Sequence, residues 1–399
     1  MLNKALLALF TLILLSCTRQ GPVEKEAISP SLALDPVLEE DSLFPEPAHA
    51  AEEDYLTIIA VGDNLYHNVM VRDGEQGDYG AAYIEIRSLV QSADIAFINQ
   101  ETLLGGREFG FTGWPLFNSP QSLGRALAAL GFNVVSHANN HVMDRGERAL
   151  NATMEFWDTI PGVMVLGIHP SPEARNTPVV AEINNFRIGF LAYTYGTNSL
   201  ALPPGRPYMV SLIDREVMAR EINALRPLCD FLVVSMHWGN EYQHNPSINQ
   251  RELADFLAEH QVDLVIGHHP HVIQPIEYIL RPDGRFMLCF FSLGNFISAQ
   301  ATPPTMLGIM AYVKIRKIPA LEDEEKSSFI FVDDGAIPLV THFERGWTNF
   351  KVYPLYSYSV ESSRRHWMNR ESMIMTVDYL RELSERILGF RKIKQNPFN

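Results

Sequence analysis

An α/β layered fold is predicted by three features of this 399-residue chain. From Tyr55 to Val272, short β-branched apolar runs alternate with segments of helical spacing. After Val272 the texture becomes strand-rich. Several of the early apolar runs end in clusters of His, Asn, Asp and Glu, and α/β sheets bind ligands beyond the carboxyl ends of their strands.

The elements follow in order. "YLTIIAVGD" is a β-branched run stopped by Gly62-Asp63. "AAYIEIRSLVQSA" has helical spacing, and "DIAFINQE" is the next strand. "SPQSLGRALAALGF" opens on Ser/Pro and closes at Gly131, as a capped helix should. "NVVSHANN" is a strand and "RGERALNATMEFWD" a helix. "GVMVLGI" precedes a hairpin of "TPVVAEI" and "FRIGFLAYT". "LIDREVMAREINALRPL" is a long helix, followed by strand "DFLVVSMHWG", helix "INQRELADFLAEHQ" and strand "VDLVIGHH". The strands beyond Val272 are "IQPIEYIL", "RFMLCFFSLGNFI", "MLGIMAYVKIRK", "SFIFVDDGAIPLVTHF" and "NFKVYPLY". They read as a second sheet packed on the first. "MIMTVDYLRELSERILGFRKIK" is a closing helix whose basic end suits the helix dipole. The acidic stretch 320–328 reads as a solvated loop.

The first residues point to a compartment. "MLNKALLALFTLILLSCTRQ" has one Lys, then an apolar run too short to span a membrane, then Ser16-Cys17. Leu14-Leu15-Ser16-Cys17 resembles a bacterial lipoprotein box, so residues 1–17 are expected to be a lipoprotein signal peptide. Lipid on Cys17 would anchor the protein to the membrane on its extracytoplasmic side. Residues 18–54 read as a disordered, acidic, Pro-rich tether. They hold ten Asp/Glu and two Lys/Arg, a net −8 of the total −15. An acidic balance of this size argues against a nucleic-acid partner. Cys229 and Cys289 lie in apolar runs and are expected as buried free thiols, with a bridge the alternative.

The polar clusters carry the chemistry. "IIAVGD" ends in Asp63, and "IAFINQE" in Asn99 and Glu101. "VVSHANNHVMD" ends in His137, Asn139, Asn140, His141 and Asp144. "LVVSMHWGNE" ends in His237 and Glu241, and "LVIGHHPH" in His268, His269 and His271. Imidazole, carboxylate and amide oxygen without cysteine suit a divalent metal, with Mn²⁺, Zn²⁺ or Fe²⁺ favoured over Mg²⁺ and Ca²⁺ by the many nitrogen donors. If the chain is extended there, strand alternation puts His269 and His271 on one side and His268 on the other. His67, His169, His244, His260 and His268 are read as hydrogen-bonded structural residues. Asn139 and Asn140 could equally be turn-formers, and Asp144 part of a loop before a helix.

"AVGD", "NQET", "ANNHVMDRG", "HWGNEY", "GHHPHVIQ" and "SLGNF" together resemble the CapA family over residues 55 to 300. That family is named for poly-γ-glutamate capsule synthesis and is similar in fold to calcineurin-like metallophosphoesterases. The resemblance implies a metallophosphatase-like β-sandwich flanked by helices over 55–350, with 351–399 as a C-terminal extension. Residue by residue, it implies Asp63, Glu101, Asn140, His237, His269 and His271 as metal ligands. It also implies His141 as proton carrier, with Glu241 and Asp144 at the same site as ligand-orienting residues. Two positions depart from the phosphoesterase pattern: Asp63 is followed by Asn64-Leu65 instead of x-His, and the bridging acid falls in "NQE".

The function implied is that of a surface-anchored, metal-dependent protein of capsule-polymer synthesis or processing, acting on an amide-linked substrate. A phosphate-ester hydrolase is the alternative, and a non-catalytic lipoprotein that binds polymer or a synthase is the other. An anionic polymer or peptide would need a basic strip, for which Arg72, Arg107, Arg145 and Arg206 are the candidates.

Overall fold

The computed structural model describes residues 55–318 and 328–398. The expected signal peptide (1–17) and tether (18–54) lie outside the described residues, as does all but the last residue of the acidic stretch 320–328. The first half comprises β1 (Tyr55–Leu65), α1 (Asn68–Gln76), α2 (Arg87–Gln91), β2 (Ile95–Gln100), α3 (Gln121–Leu130), β3 (Val134–Ser136), α4 (Gly146–Asp158), β4 (Met164–Leu166) and α5 (Pro172–Asn176). The middle comprises β5 (Val180–Ile183), β6 (Phe186–Thr194), α6 (Arg215–Leu225), β7 (Phe231–His237), α7 (Ile248–Glu259) and β8 (Leu264–His268). Then follow β9 (Ile276–Leu280), β10 (Phe286–Phe290), β11 (Asn295–Ser298), β12 (Leu307–Ile318), β13 (Ser328–Glu344), β14 (Thr348–Pro354), α8 (Val360–Arg365) and α9 (Val377–Leu388). β14 runs through residue 350.

The strands form two sheets. One has the order β14-β13-β12-β1-β2-β3-β4, with β11 also paired to β1; the other is β5-β6-β7-β8-β10-β9. Their inner faces share one core that includes Ile59, Phe97, Phe190, Val233, Ile266, Phe290 and Ile309. α6 and α7 cover the outer face of the second sheet through Met218, Ile222, Leu253 and Leu257. The fold is thus an α/β sandwich flanked by helices.

The expected second sheet made of the strands beyond Val272 is corrected. β9 and β10 extend the sheet of β5–β8, while β11 to β14 extend the sheet of β1–β4. β12 pairs antiparallel along β1, from Tyr55 opposite Arg316 to Val61 opposite Met310. Alternation within a run says which side chains share a face, but it says nothing about which distant edge the strand will join.

Three smaller expectations also change. The helix expected over 81–93 is a 3₁₀ segment, Tyr79–Ile86, leading into the short α2; Gly80 and the β-branched Ile84 and Ile86 weaken an α-helix there. Ser119 does not cap α3, because its Oγ lies 2.8 Å from Thr102 Oγ1 and Pro120 holds the N-cap position. α9 keeps one basic residue, Arg386, in its last turn as expected, but the later basic residues lie beyond its end. Gly389, at φ +76°, ends the helix, and Lys392 and Lys394 reach Asp334 and Asp333 on β13. Cys229 and Cys289 are both buried and free.

Candidate metal centre

Strand parity and two close backbone approaches bring the polar clusters together. In β7, Phe231 and Val233 face the shared core while Leu232, Val234 and Met236 face α6 and α7. His237, two steps beyond Ser235, therefore points between the sheets. In β1, a Cβ on Gly62 would lie 1.8 Å from the carbonyl oxygen of Gly294, so only glycine lets β11 approach here. That approach sets Asp63 opposite Asn295, with the Asp63 amide donating to Gly294 at 2.9 Å. β2 runs parallel to β1 and presents Asn99 beside Asp63, where its Nδ2 donates to Asp63 Oδ1 at 2.8 Å. Glu101 follows directly after β2.

The histidine-rich stretch converges for a different reason from strand alternation. β8 ends at His268. His269 and His271 have φ of +95° and +58°, so the chain turns through the left-handed region there and is not extended. The turn swings both rings onto the site. His268 is the corrected residue: it continues the inward parity of Leu264 and Ile266, its ring stacks on Phe97, and its Nδ1 lies 3.5 Å from Asp63 Oδ1. It stands beside Asp63 and does not point away, although it joins none of the ligand groups found among the described residues.

Six of the expected ligands meet. Ligand atoms of Asp63, Glu101 and His271 lie within 4.8 Å of one another, as do those of Glu101, His237 and His269. Glu101 belongs to both groups. Its Oε1 is 3.7 Å from His237 Nε2 and 3.9 Å from His271 Nε2. Asn140 Oδ1 lies 2.9 Å from His237 Nε2, on the second group. Two donors held about 2.1 Å from one ion stand roughly 3–3.5 Å apart, so these separations fit metal ligation. A third group joins Glu241, which is exposed, to His269 and His271. Asn295, in the "SLGNF" stretch, places its Oδ1 3.0 Å from His271 Nδ1 and orients that ring, as outer partners of metal-binding histidines do.

The donor set passes a direct test of fit. Among the described residues, both Glu101 oxygens, His237 Nδ1 and His269 Nδ1 are buried without a hydrogen-bond partner, as are both ring nitrogens of the neighbouring His268. Such atoms are costly unless something ligates or protonates them. Burial pushes the Glu101 carboxyl well above its usual range, and the charges of Asp63, Glu241 and Asp144 push it further. Burial alone would also raise Asp63, but hydrogen bonds and charge from His268 and His271 outweigh it and hold that carboxyl low. Burial, then neighbouring histidines, push His237 down, and the same causes take His269 to about 3. Without an ion, burial therefore favours the neutral imidazole at His237 and His269 and the protonated carboxyl at Glu101. An ion must displace that proton. Metal affinity is expected to rise with pH across the range where Glu101 titrates, with proton release on binding. Calorimetry in buffers of different ionisation enthalpy measures this; binding without proton release would contradict it.

Two of the six, Asn140 and His271, line a cleft of about 560 Å³ together with His141, Glu241, Tyr242 and Trp114 among others. His141 Nδ1 lies 2.7 Å from Asp144 Oδ2, and Asp144 also accepts from the Phe117 amide at 2.7 Å. The Phe117 ring meets His141 edge-on at 4.7 Å. Asp144 thus fixes the ring of His141 and leaves its other nitrogen to exchange a proton. His67, expected to be structural, also lines this cleft. His169, His244 and His260 are held by Ser211, Ile273 and Phe256, as structural residues are. His137 pairs with the Trp157 indole and takes no part.

Among the described residues, no Lys or Arg lines the cleft. Arg107 pairs with Glu75, Arg206 with Glu147, and Arg145 donates to the Phe109 carbonyl. Arg72 is exposed but does not line the cleft. The basic strip expected from these four residues is therefore not at the site. Sequence reading also missed Tyr195, Asn198 and Gln300. Asn198 receives a hydrogen bond from Asn140 Nδ2 at 3.1 Å, and Tyr195 packs 4.7 Å from the His269 ring. These residues lie in connecting segments without regular spacing, which left no pattern to read.

Residues 57–300 match the family described as "Bacterial capsule synthesis protein PGA_cap". The "PGA biosynthesis protein CapA" of Bacillus subtilis (strain 168) is 29% identical over 195 residues, covering 48% of this chain and 50% of that protein. The "Capsule biosynthesis protein CapA" of Bacillus anthracis is 28% identical over 180 residues, covering 44% and 42%. The chain spans about half the length of the curated relatives it matches. Among solved structures, a 5'-nucleotidase precursor from Thermus thermophilus is similar with a TM-score of 0.40 at 14% identity, covering 72% of this chain and 54% of that one.

Proposed function

Because the chain belongs to the PGA_cap family of bacterial capsule synthesis proteins, we propose that it is a metal-dependent enzyme of capsule-polymer synthesis or processing that acts on an amide bond of γ-glutamyl or peptide type. The observation that carries this reading is the charge of the cleft. Glu241 stands exposed beside the ligand group, and among the described residues no Lys or Arg lines the walls. Phosphoryl transfer spreads negative charge over several oxygens and relies on cationic clamps. An amide carbonyl develops one oxyanion and makes no such demand.

The donor set suits a divalent ion, Mn²⁺, Zn²⁺ or Fe²⁺, at two positions that share Glu101. When bound, such ions supply Lewis acidity toward a carbonyl oxygen and lower the pKa of water. The chain's own residues do the rest. Asn140, His237 and His269 would hold one ion, and Asp63 and His271 the other. His141, held through Nδ1 by Asp144, would deliver a proton from its other ring nitrogen to the departing amine nitrogen as water oxygen bonds to the carbonyl carbon and the C–N bond breaks. Tyr195, packed on His269, and Phe117, packed on His141, keep both rings from turning.

The test is a comparison of substrates on metal-loaded protein. A γ-glutamyl peptide should be cleaved at its amide, and a simple phosphate monoester should turn over poorly or not at all. Phosphate release without amide cleavage would replace this reading with a phosphoesterase. Full metal content with neither activity would leave a polymer- or synthase-binding protein.

The same proposal places the protein on the extracytoplasmic face of the membrane, anchored by lipid on Cys17. Its support is the apolar run ending in Leu14-Leu15-Ser16-Cys17 and the Pro-rich stretch that follows. Among the described residues no helix is long and apolar enough to cross a membrane. Cys17→Ser is expected to release the protein from the membrane fraction or to block its maturation. Normal processing and retention in membranes would refute the anchor.

A further inference from the structure

We propose that the cleft carries a recognition site for a primary ammonium group, formed by the Glu241 carboxylate and the flanking rings of Tyr195 and Tyr242, so that the substrate presents a free amino terminus close to the bond that breaks. The inference rests on the amide reading above and narrows it to a class of substrate.

Glu241 is the one carboxylate of the three ligand groups that is exposed, and it forms no ion pair among the described residues. Exposed tyrosine rings pack on the two histidines that it approaches. Tyr242 is 52% exposed and its ring lies 6.1 Å from that of His271; Tyr195 is 48% exposed and its ring lies 4.7 Å from that of His269. Trp114, 78% exposed, lines the same cleft. Tyr242 and Trp114 line the cleft with Glu241, and Tyr195 packs on His269 beside it; aromatic faces next to an unpaired acid make a poor surface for an anion and a good one for a cation. A ring face attracts an ammonium through its quadrupole, and the carboxylate adds charge and hydrogen bonding.

The presenting segment is rigid. A Cβ on Gly239, at φ +89°, would lie 2.5 Å from the Gln250 side chain, so the chain can turn out of β7 only with glycine there. The Trp238 indole donates to the Phe291 carbonyl at 2.9 Å, and the Tyr242 amide donates to Pro270 at 2.8 Å. Tyr242 itself sits at φ +63°, and Gln300 Nε2 donates to its hydroxyl at 3.3 Å. A site held this way loses little freedom when it binds. Its distance from the ligand group matters too. Glu241 lies within 4.8 Å of the ligand nitrogens of His269 and His271. An ammonium held there is a few bonds from a carbonyl held at the metal position, the spacing of an amino-terminal residue and its first amide.

The test uses purified full-length protein loaded with Mn²⁺ and two probes, γ-glutamylglutamate with a free amine and its N-acetyl derivative. Calorimetry should show that acetylation weakens binding about tenfold in the wild type. In Glu241→Gln the two probes should bind within about twofold of each other, with bound Mn²⁺ unchanged. Tyr195→Leu and Tyr242→Leu should each reduce the discrimination in part. Equal binding of both probes to the wild type, or no binding of either, overturns the proposal. Loss of Mn²⁺ from Glu241→Gln also overturns it, because Glu241 would then be a metal ligand. Amine discrimination without amide cleavage would sink the amide reading while leaving the ammonium site in place; cleavage without discrimination would do the reverse.

Discussion

Glu101→Gln is expected to empty both metal positions at once, whereas His271→Ala and His237→Ala should each empty mainly one. Among the described residues, Glu101 alone is common to the Asp63–His271 and His237–His269 groups, and both its oxygens are buried without a partner. An amide in its place keeps the volume but offers one weak oxygen donor and no charge. The loss in affinity should exceed the roughly 10–100-fold typical of removing an outer-shell partner of a metal ligand. Misfolding can be separated from this effect. Burial and the neighbouring acids raise the Glu101 pKa in the folded state above its unfolded value. Such a group weakens the fold as pH rises through that raised pKa, because the unfolded chain releases the proton more easily. Gln removes that burden, so the metal-free variant should unfold at the same temperature as metal-free wild type near neutral pH, or higher. Metal content by elemental analysis after dialysis, with thermal unfolding alongside, reads both halves. Full metal content in Glu101→Gln would mean that the site is not built around this carboxylate.

His141→Ala should retain metal and lose turnover by about 10²- to 10⁴-fold, the usual range for a general acid–base residue. Its ring lines the cleft and its Nδ1 is committed to Asp144. It joins none of the ligand groups among the described residues. Asn140→Ala should behave oppositely, because Asn140 Oδ1 meets His237 Nε2 at 2.9 Å and is proposed as a ligand at that metal position. Loss of metal from His141→Ala as complete as from His237→Ala would make His141 a ligand and remove the proton carrier from this account.

Much of this site was legible in the sequence because β-strands encode position simply. An apolar run that ends in a polar cluster marks a strand end, and Asp63, Glu101 and His237 all lie where that rule puts them. The histidine-rich turn shows where the rule stops. Parity carried through His268 would have kept the chain extended, but Pro270 and two left-handed residues turn it, and convergence of His269 with His271 arises from that turn. His268 stays in register with β8 and so faces Asp63, which a flat two-residue alternation counted from His269 misplaces. The sheet to which β9–β14 belong was not legible, since a strand chooses its partner by edge availability far away in sequence. The four arginines near the motifs illustrate the same limit. Nearness in sequence did not bring them to the cleft, and Glu75, Glu147 and the Phe109 carbonyl hold three of them elsewhere.

The central claim is a shared-carboxylate centre with two metal positions. Anomalous diffraction from crystals of the protein grown with Mn²⁺ tests it most directly. Two peaks are expected on either side of the Glu101 carboxylate, one against Asp63 and His271, the other against Asn140, His237 and His269. A single peak held by Glu241, His269 and His271, with Glu101 bare, would contradict it.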